Sequence, residues 1–476
     1  MSFTTLDLVV LLVYLLGITA WGAWLGRGQT GGTDYFLGSR SLPWVAVMLS
    51  VVATETSTLT FLSIPGVAYM GSLVFLQLTF GYLIGRALVS VLLLPAYYGG
   101  SLTTAYALLE VRFGLGARRF TSAIFMVTRL LADSVRLFAT AIPLALITGL
   151  PYWGSIVVIG ALTVVYTYFG GIKAVVWVDA VQMGLYLLGA LVAIGAVQAL
   201  VPGGWGEVFA SGRAAGKLDL IDLSFDLSVP YTLWAGVLGG AIFTMASHGT
   251  DQLIVQRLLT CQDLRAAQKA LIGSGFAVIL QFALFLFVGL GLWSFYGGRE
   301  FAVSDEIFAL FIVEELPAGV TGLLIAGVFA AAMSSLSSSI NALASATAYD
   351  YWAPMVGARE DEARILRAGK AFTLLWATLL IVGAVLFIPL SQGTSAVEVA
   401  LGIASLVYGG LLGAFALGVL TKRPGQRAAM IGMVVGIGSV TLVRDLVAWP
   451  WYVLLGSVIT FVVGSLIGFV IDERRA

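Results

Sequence analysis

The chain has 476 residues, of which 59% are hydrophobic and 11% are charged, and its 25 basic and 25 acidic residues leave no net charge. A soluble domain carries about 25% charged residues, so this composition fits a surface covered by lipid better than one covered by water. Neutral charge predicts no nucleic-acid partner, and a single cysteine and a single histidine exclude an intrachain disulfide and a metal site built from cysteine or histidine clusters.

The first predicted element is a helix over residues 6–26. Residues 1–5 carry no positive charge, and no cleavage signal of small residues follows the apolar run. Because the run is also long enough to span a bilayer, we expect a retained transmembrane helix rather than a signal peptide.

Apolar stretches of roughly 20 residues or more recur along the rest of the chain, which is the length that a helix needs to cross a bilayer. They predict an all-α integral membrane protein with about thirteen transmembrane helices and no soluble domain. The predicted spans are 6–26, 43–70, 73–98, 118–149, 152–171, 174–201, 231–259, 266–297, 317–349, 362–391, 395–421, 425–444 and 449–471.

The distribution of lysine and arginine between the predicted loops indicates the orientation. If the N-terminus is outside, most of the loop lysines and arginines fall on the cytoplasmic side, as the positive-inside rule requires. We therefore expect a multi-pass protein of a cell membrane, inner or plasma, with the N-terminus outside and the C-terminus in the cytoplasm.

The second predicted span is interrupted by a polar run over residues 54–60, which includes Glu55 and is followed by Pro65-Gly66. Serine and threonine compete with the backbone for hydrogen bonds, so this helix is predicted to unwind in mid-membrane. Unwound backbone exposes carbonyl oxygens that suit a small hard cation. A polar packing face on an intact helix is the alternative interpretation.

The ninth predicted span carries a row of small hydroxyl groups. Ser334, Ser337, Ser338 and Asn341 share one face at helical spacing, and Ser335 lies beside that face. Such a row often marks a close contact between two helices. It also supplies neutral oxygen ligands for Na⁺ if a source of carbonyl or carboxylate oxygen lies opposite.

Charged side chains within other spans are costly in lipid and mark further candidate positions. Asp179 is predicted about two turns inside the sixth span, where it could reach the membrane interface, complete a cation site or carry a proton. Asp133 can pair with Arg129 or with Arg136 on the fourth span. Either the three residues pair among themselves, or one arginine faces a cavity and attracts a carboxylate-bearing substrate.

The seventh predicted span contains Gly239-Gly240, which suggests a second flexible helix, and His248, which we interpret as a hydrogen-bonded structural residue. Because the second and seventh spans have opposite orientations, spans two to six and seven to eleven form two five-helix units of inverted topology. The predicted parts are a first helix and loop at 1–42, repeat one at 43–201, an extracellular loop at 202–230, repeat two at 231–423 and two further helices at 424–476.

Four segments resemble one known family: residues 60–66 (TFLSIPG), 170–179 (GGIKAVVWVD), 249–257 (GTDQLIVQR) and 408–415 (YGGLLGAF). From the first span to about residue 423, the chain resembles the sodium:solute symporter family. The resemblance implies a five-plus-five inverted-repeat core of the leucine-transporter type, with one helix before it and two after it. It also implies alternating access driven by a Na⁺ gradient.

The resemblance also implies ion sites on named residues. The shared Na⁺ site would use backbone carbonyls of Ala53, Thr56 and Ala331 and the hydroxyls of Ser334 and Ser335. Some members of the family have a second Na⁺ site, and its matching positions are Asp179, Ser334, Ser337 and Ser338. Na⁺ is then the coupling ion, and no organic cofactor is expected.

The family's substrate pocket is lined by the broken helix and its neighbours. The candidates by position are Glu55, Ser57, Thr60, Gln77, Thr79, Asp133, Arg136 and Glu398. Their polarity favours a charged or zwitterionic solute, such as a carboxylate or an amino acid, over a plain sugar. The expected partners are this small molecule and the lipid bilayer, and a monomer is compatible with the sequence.

Other functions remain open from the sequence alone. A proton-coupled transporter could use Asp179 or Glu55, but it leaves the serine cluster without a purpose. A sensor or receptor built on a transporter bundle would usually carry a signalling domain. A membrane enzyme lacks an evident set of nucleophile, base and acid, and no pore-loop pattern indicates a channel.

Overall fold

The structure is a computed structural model that describes residues 3–100, 102–301, 303–388 and 396–470. Of residues 59, 143, 146–148 and 396–403 it describes the backbone alone. Within these ranges the chain is almost entirely helical, and no β-strand is present beyond one isolated bridge between Leu42 and Cys261.

The first half of the chain forms ten α-helices and two short 3₁₀ turns, at Gly38–Arg40 and Leu73–Phe75. The helices are α1 (Thr5–Leu25), α2 (Gly32–Leu37), α3 (Trp44–Glu55), α4 (Thr58–Met70), α5 (Leu76–Leu92), α6 (Leu94–Tyr98), α7 (Ala107–Phe113), α8 (Leu115–Thr148), α9 (Tyr152–Leu200) and α10 (Gly204–Ala214).

The second half forms ten more α-helices and two π-helical turns, at Ala235–Gly239 and Thr347–Trp352. These helices are α11 (Gly240–Gly249), α12 (Gln252–Leu258), α13 (Leu264–Phe295), α14 (Ser304–Glu314), α15 (Val320–Ala346), α16 (Ala353–Met355), α17 (Glu362–Phe387), α18 (Ala396–Leu420), α19 (Gln426–Val443) and α20 (Pro450–Val470).

Long apolar helices dominate the bundle. Among the described residues, eight continuous helical segments are long and apolar enough to cross a membrane, and α3 and α4 form a ninth candidate that is bent by 63°. The structure therefore shows an all-helical membrane protein. The number of thirteen spans and the layout of the two repeats stay predictions.

The longest helix, α9, is divided at Gly171. Its 49 residues would extend for about 74 Å at 1.5 Å per residue, more than twice the thickness of the hydrocarbon core of a bilayer. Gly171 has φ 54° and ψ −155°, a backbone conformation that only glycine adopts readily. The predicted spans 152–171 and 174–201 correspond to the two halves on either side of this kink.

Helix α15 lies at the centre of the bundle. It is buried over most of its length and packs against α1, α3, α8, α9 and α17. The last three helices, α18, α19 and α20, pack on one another beside this core. Since α15 carries the serine row and contacts both α3 and α4, the fold brings the serines next to the bent pair.

The kink at Gly171 gives a test of the fold. Gly171→Ala should destabilise the protein by about 1–3 kcal/mol or more, because a Cβ atom there is strained and would lie 2.6 Å from the carbonyl oxygen of Tyr35. Gly184→Ala on the same helix is the control, since a Cβ there meets open space and should stabilise by up to about 1 kcal/mol. Thermal unfolding of both purified variants measures the difference, and equal melting temperatures would contradict the assignment.

Candidate functional site

Helices α3 and α4 are the two halves of one interrupted segment. Helix α3 ends at Glu55, Thr56 and Ser57 are extended with ψ 101° and 171°, and α4 begins at Thr58. The hydroxyl of Ser57 caps α4 by accepting a hydrogen bond of 3.4 Å from the amide of Thr60. The predicted unwinding of this segment is confirmed.

The break leaves backbone groups at the end of α3 without helical partners. The amide of Thr56 donates the last helical bond, to the carbonyl of Val52 at 2.9 Å. The carbonyl of Ala53 is in the last turn of α3, where carbonyl oxygens have no hydrogen-bond partner within the helix. The Thr56 side chain bonds to Gln281 of α13, whose amide nitrogen lies 2.7 Å from the threonine hydroxyl.

A small cavity lies where the break meets the serine row. Its volume is about 10 Å³, close to the space that one water molecule needs. Ser57, Thr58, Ser335 and Asp133 contribute polar groups to its walls. The hydroxyl oxygen of Ser335 is buried and has no hydrogen-bond partner among the described residues.

These groups fit a small hard cation. Hydroxyl, carbonyl and carboxylate oxygens are the ligands that such ions prefer, and a bound ion would satisfy the orphaned hydroxyl of Ser335. Ala331 is buried one turn before Ser335 on α15. The fold thus brings α15 to the interrupted helix, as the expected Na⁺ site requires, whereas Ser334 turns its hydroxyl to a different partner.

That partner is Asp179, whose side chain is fully buried inside the bundle. Its carboxylate accepts hydrogen bonds from Ser334 at 2.7 Å and from Ser50 at 2.6 Å. The guanidinium group of Arg257 lies 3.1 Å from the same carboxylate and also donates to the hydroxyl of Ser338. Asp179 therefore already has a cationic partner within the chain.

Sequence reasoning did not assign Arg257 a role, although this residue ends the segment GTDQLIVQR. Its spacing to Asp179 along the chain gives no signal, because the contact joins residues 78 positions apart. Ser337, the other predicted ligand of a second ion, donates to the backbone carbonyl of Ser334 at 3.1 Å.

A larger cavity of about 270 Å³ opens beside the break. Its polar walls include Glu55, Ser57, Thr60 and Arg136 from the predicted substrate set. Aromatic side chains supply much of the remaining wall: Phe75, Tyr82, Tyr231, Phe243, Phe282, Tyr408 and Trp449. An apolar pocket with a few placed polar groups is the usual form of a small-molecule site.

The other predicted substrate residues lie elsewhere. The side chain of Gln77 ties loops together by donating to the carbonyls of Val74 and Tyr231, each at 3.2 Å. Thr79 donates to the carbonyl of Leu76 at 2.7 Å. Neither belongs to the walls described for the two cavities, and the side chain of Glu398 lies outside the described residues. A substrate role for these three residues stays a prediction.

Glu55 is neutralised at the wall of the larger cavity by Arg86, a buried residue of α5 with which it forms an ion pair. The same guanidinium group lies 3.1 Å from Nε2 of His248. Nε2 of His248 also lies 3.6 Å from Oε2 of Glu55, and its Nδ1 lies 2.9 Å from the hydroxyl of Ser247. His248 is thus a hydrogen-bonded residue of the wall.

Asp133, Arg129 and Arg136 form only loose contacts with one another. Arg129 pairs instead with Asp251, and both contact the hydroxyl of Tyr408. One oxygen of Asp133 lies 3.6 Å from Arg129 and 3.5 Å from Arg136. The side chain of Arg136 is 22% exposed and belongs to the walls of both cavities.

A second ionic cluster joins the start of α8 to the end of the α15 segment. Asp350 accepts hydrogen bonds of 2.7 Å each from Arg118, Thr104 and Ser122. Arg118 also donates to the carbonyl of Tyr349 at 3.1 Å. These buried bonds hold the start of α8 against the π-helical turn that follows α15.

A discontinuous helix beside a polar cavity in an all-helical membrane bundle is the architecture of a secondary transporter. The sequence profile of the Sodium:solute symporter family matches residues 35–436, and the chain belongs to this family. Its relatives are transporters and not enzymes, and the proton-coupled and sensor alternatives are not favoured.

The chain is similar to relatives that are named for iodide, sialic acid and monocarboxylates. The human sodium/iodide cotransporter is 30% identical over 92% of this chain and 69% of its own length. The sodium/sialic acid symporter NanT of Aliivibrio fischeri is 29% identical over 98% and 93%. The sodium-coupled monocarboxylate transporter 1 of Xenopus laevis is 30% identical over 92% and 73%.

Solved structures give the same fold. A Na⁺-coupled sialic acid symporter in a substrate-bound outward-open state aligns with a TM-score of 0.90 at 27% identity and covers 99% of both chains. Mhp1, a nucleobase-cation-symport-1 family transporter, aligns with a TM-score of 0.57 at 14% identity over 92% of this chain and 94% of Mhp1. The second match supports the fold alone.

The buried pair of Asp179 and Arg257 gives a test of the site's electrostatics. Arg257→Met should destabilise by about 3–5 kcal/mol, because it leaves a buried carboxylate without its cation. Asp179→Asn should lower the free energy of unfolding much less when Arg257→Met is already present than it does in the wild type. The partly exposed pair of Lys173 and Asp34, 2.7 Å apart, is the control and should contribute at most about 1 kcal/mol. Additive effects in thermal unfolding at Asp179 and Arg257 would contradict the pairing.

Proposed function

We propose that this chain is a Na⁺-driven symporter of a small organic anion, such as a carboxylate. The observation that carries the proposal is Arg136, a partly exposed cation in the wall of a solute-sized cavity beside the interrupted helix. Arginine is well suited to bind carboxylates because its guanidinium group can donate two parallel hydrogen bonds. The names of the relatives, which include iodide, sialic acid and monocarboxylates, support an anionic solute.

In this proposal Na⁺ binds between α15 and the end of α3, where Ser335 borders the small cavity. Its ligands are the backbone carbonyls of Ala53, Thr56 and Ala331 and the hydroxyls of Ser334 and Ser335, and Ser334 must turn from Asp179 towards the ion. The orphaned hydroxyl of Ser335 supports this placement. The ion supplies a positive charge that holds α3 and α4 against α15.

The wider architecture in this proposal follows the two inverted repeats, at 43–201 and 231–423, with thirteen spans, the N-terminus outside and the C-terminus in the cytoplasm. The larger cavity would then face outwards, while the bonds around Asp350 close the cytoplasmic side. Alternating access requires the repeats to rock about the fixed site, breaking those bonds as the outer wall closes.

Ion and solute are coupled through a shared conformation. Two ligands that favour the same state raise each other's affinity by the same factor. Na⁺ orders the interrupted helix, which contributes Glu55, Ser57 and Thr60 to the solute cavity. The Na⁺ gradient then supplies the work of accumulating the solute.

We propose one Na⁺ in this state rather than two. A second ion among Asp179, Ser334, Ser337 and Ser338 would have to displace the guanidinium group of Arg257. That displacement has a cost, because Arg257 is itself fully buried and would need another anionic partner.

The Na⁺ site can be tested by thermal stability of the purified protein in NaCl and in choline chloride. A Na⁺-specific rise in melting temperature, on the order of a few degrees at saturation, is expected because the ion binds the folded state alone. Ser335→Ala should abolish this rise. Ser439→Ala on α19, which removes an exposed hydroxyl, should keep it. An equal rise in both variants would place the ion elsewhere.

The solute class can be tested by adding acetate, lactate or sialic acid, each as its sodium salt, and a neutral sugar as comparison. At least one anion should raise the melting temperature further in the presence of Na⁺, and the sugar should not. Arg136→Gln should lower the apparent affinity for the anion by about tenfold or more, because it removes the cation at the cavity. The control is Arg359→Gln, which alters an exposed arginine paired with Glu110. A neutral solute that stabilises both variants equally would contradict an anionic substrate.

A further inference from the structure

The small cavity and the larger cavity share part of their walls. Ser57 and Arg136 line both the cavity of about 10 Å³ that holds the orphaned hydroxyl of Ser335 and the cavity of about 270 Å³. Ser57 belongs to the backbone break, and Arg136 projects from α8. Arg136 is therefore a charged group through which the contents of one cavity can act on the other.

Asp133 lies on the ion side of this wall. Its side chain is 6% exposed, and one oxygen, Oδ2, accepts a hydrogen bond of 2.5 Å from Ser339. The other oxygen, Oδ1, lies 3.6 Å from Nη1 of Arg129 and 3.5 Å from Nη1 of Arg136. Both separations exceed an ordinary charge-assisted hydrogen bond of about 2.7–2.9 Å.

The two arginines near Asp133 are held differently. Arg129 forms an ion pair with Asp251, which in turn accepts from Tyr408 at 2.8 Å and caps α12 through the amide of Leu253 at 2.9 Å. This fixes Arg129 in place. Arg136 has Asp133 as its ion-pair partner among the described residues. The two residues lie three apart on one helix, so rotation of the Arg136 side chain is enough to break their contact.

We propose that Asp133 is an additional carboxylate ligand of the Na⁺ site and that Arg136 competes with Na⁺ for it. This inference rests on the proposed Na⁺-coupled anion transport and names the residues that couple the two ligands. With both cavities empty, Arg136 compensates the charge of Asp133. When Na⁺ enters beside Ser335, it takes over that compensation, and Arg136 turns to the anionic group of the solute.

This exchange couples the ligands through charge alone. A buried carboxylate needs a cation, and a partly buried guanidinium group needs an anion. In the empty state Asp133 and Arg136 pair with each other. With both ligands bound, Asp133 pairs with Na⁺ and Arg136 pairs with the anionic solute. An anion in the larger cavity draws Arg136 away from Asp133 and thereby raises the affinity for Na⁺. By linkage, Na⁺ raises the affinity for the anion by the same factor.

The inference predicts opposite effects of two substitutions on Na⁺ binding without solute, measured as the NaCl concentration that gives half of the thermal stabilisation. Asp133→Asn should weaken Na⁺ binding by about tenfold or more, because it removes a formal charge next to the ion. Arg136→Gln should strengthen it by about threefold to tenfold, because it removes the competing cation. The double variant that combines Asp133→Asn with Arg136→Gln should bind Na⁺ as weakly as Asp133→Asn alone.

The matched controls are Asp34→Asn and Lys173→Gln, which remove the same charges from a pair 2.7 Å apart that lines neither cavity. Neither should change the Na⁺ midpoint. If Asp133→Asn does not fold, Arg136→Gln and Arg136→Lys carry the test, since lysine keeps the competing charge and should restore the wild-type midpoint.

The outcomes separate this inference from the proposed function. A wild-type protein without any Na⁺-specific stabilisation would overturn the proposed function itself. If Na⁺ stabilises the wild type and Ser335→Ala abolishes the effect, but Asp133→Asn binds Na⁺ as the wild type does, the role of Asp133 is refuted. Equal weakening in both Asp133→Asn and Arg136→Gln would refute the competition and indicate a structural role.

Discussion

The rest of the site depends on the interruption between α3 and α4. Backbone groups freed inside a lipid-embedded bundle are costly unless protein groups, water or ions satisfy them. Side chains at the break bond to the surrounding helices: Gln281 donates to the hydroxyl of Thr56, and the hydroxyl of Thr58 donates to the carbonyl of Val328 at 3.2 Å. In the proposed function, an ion beside Ser335 satisfies the carbonyl oxygens at the end of α3, so the break that costs stability would also provide the binding site.

The charged residues of the bundle follow a second pattern. Buried charges persist when they are paired, and here Glu55 pairs with Arg86, Asp251 with Arg129 and Asp179 with Arg257. These pairs lie within hydrogen-bond distance and join separate helices, so they hold the bundle together. The pair of Asp133 and Arg136 is longer, lies on one helix and borders both cavities. Among these four pairs, the contact between Asp133 and Arg136 is therefore the one that we propose exchanges partners when ligands bind.

Local sequence patterns predicted the features that depend on neighbouring residues. Polar residues over 54–60 identified the break, and helical spacing placed Ser334 and Ser338 on one face of α15. Partners from distant helices could not be predicted: Arg86 is 31 residues from Glu55, and Arg257 is 78 from Asp179. Such contacts depend on how helices pack, and periodicity within one helix does not encode that. For the same reason, the bonds from Gln77 to the carbonyls of Val74 and Tyr231 could not be predicted from the sequence.

The pairing of Glu55, Asp251, Asp179 and Asp133 with four arginines has an electrical consequence. A bundle whose internal charges cancel moves no net charge of its own when its halves rock. The charge that crosses the membrane in one cycle is then that of the cargo. If one Na⁺ is carried with one monovalent anion, as proposed above, the two charges sum to zero, and the membrane voltage, worth about 2.3 kcal/mol per charge at 100 mV, neither drives nor opposes the cycle. Accumulation would be set by the concentration ratio of Na⁺ alone.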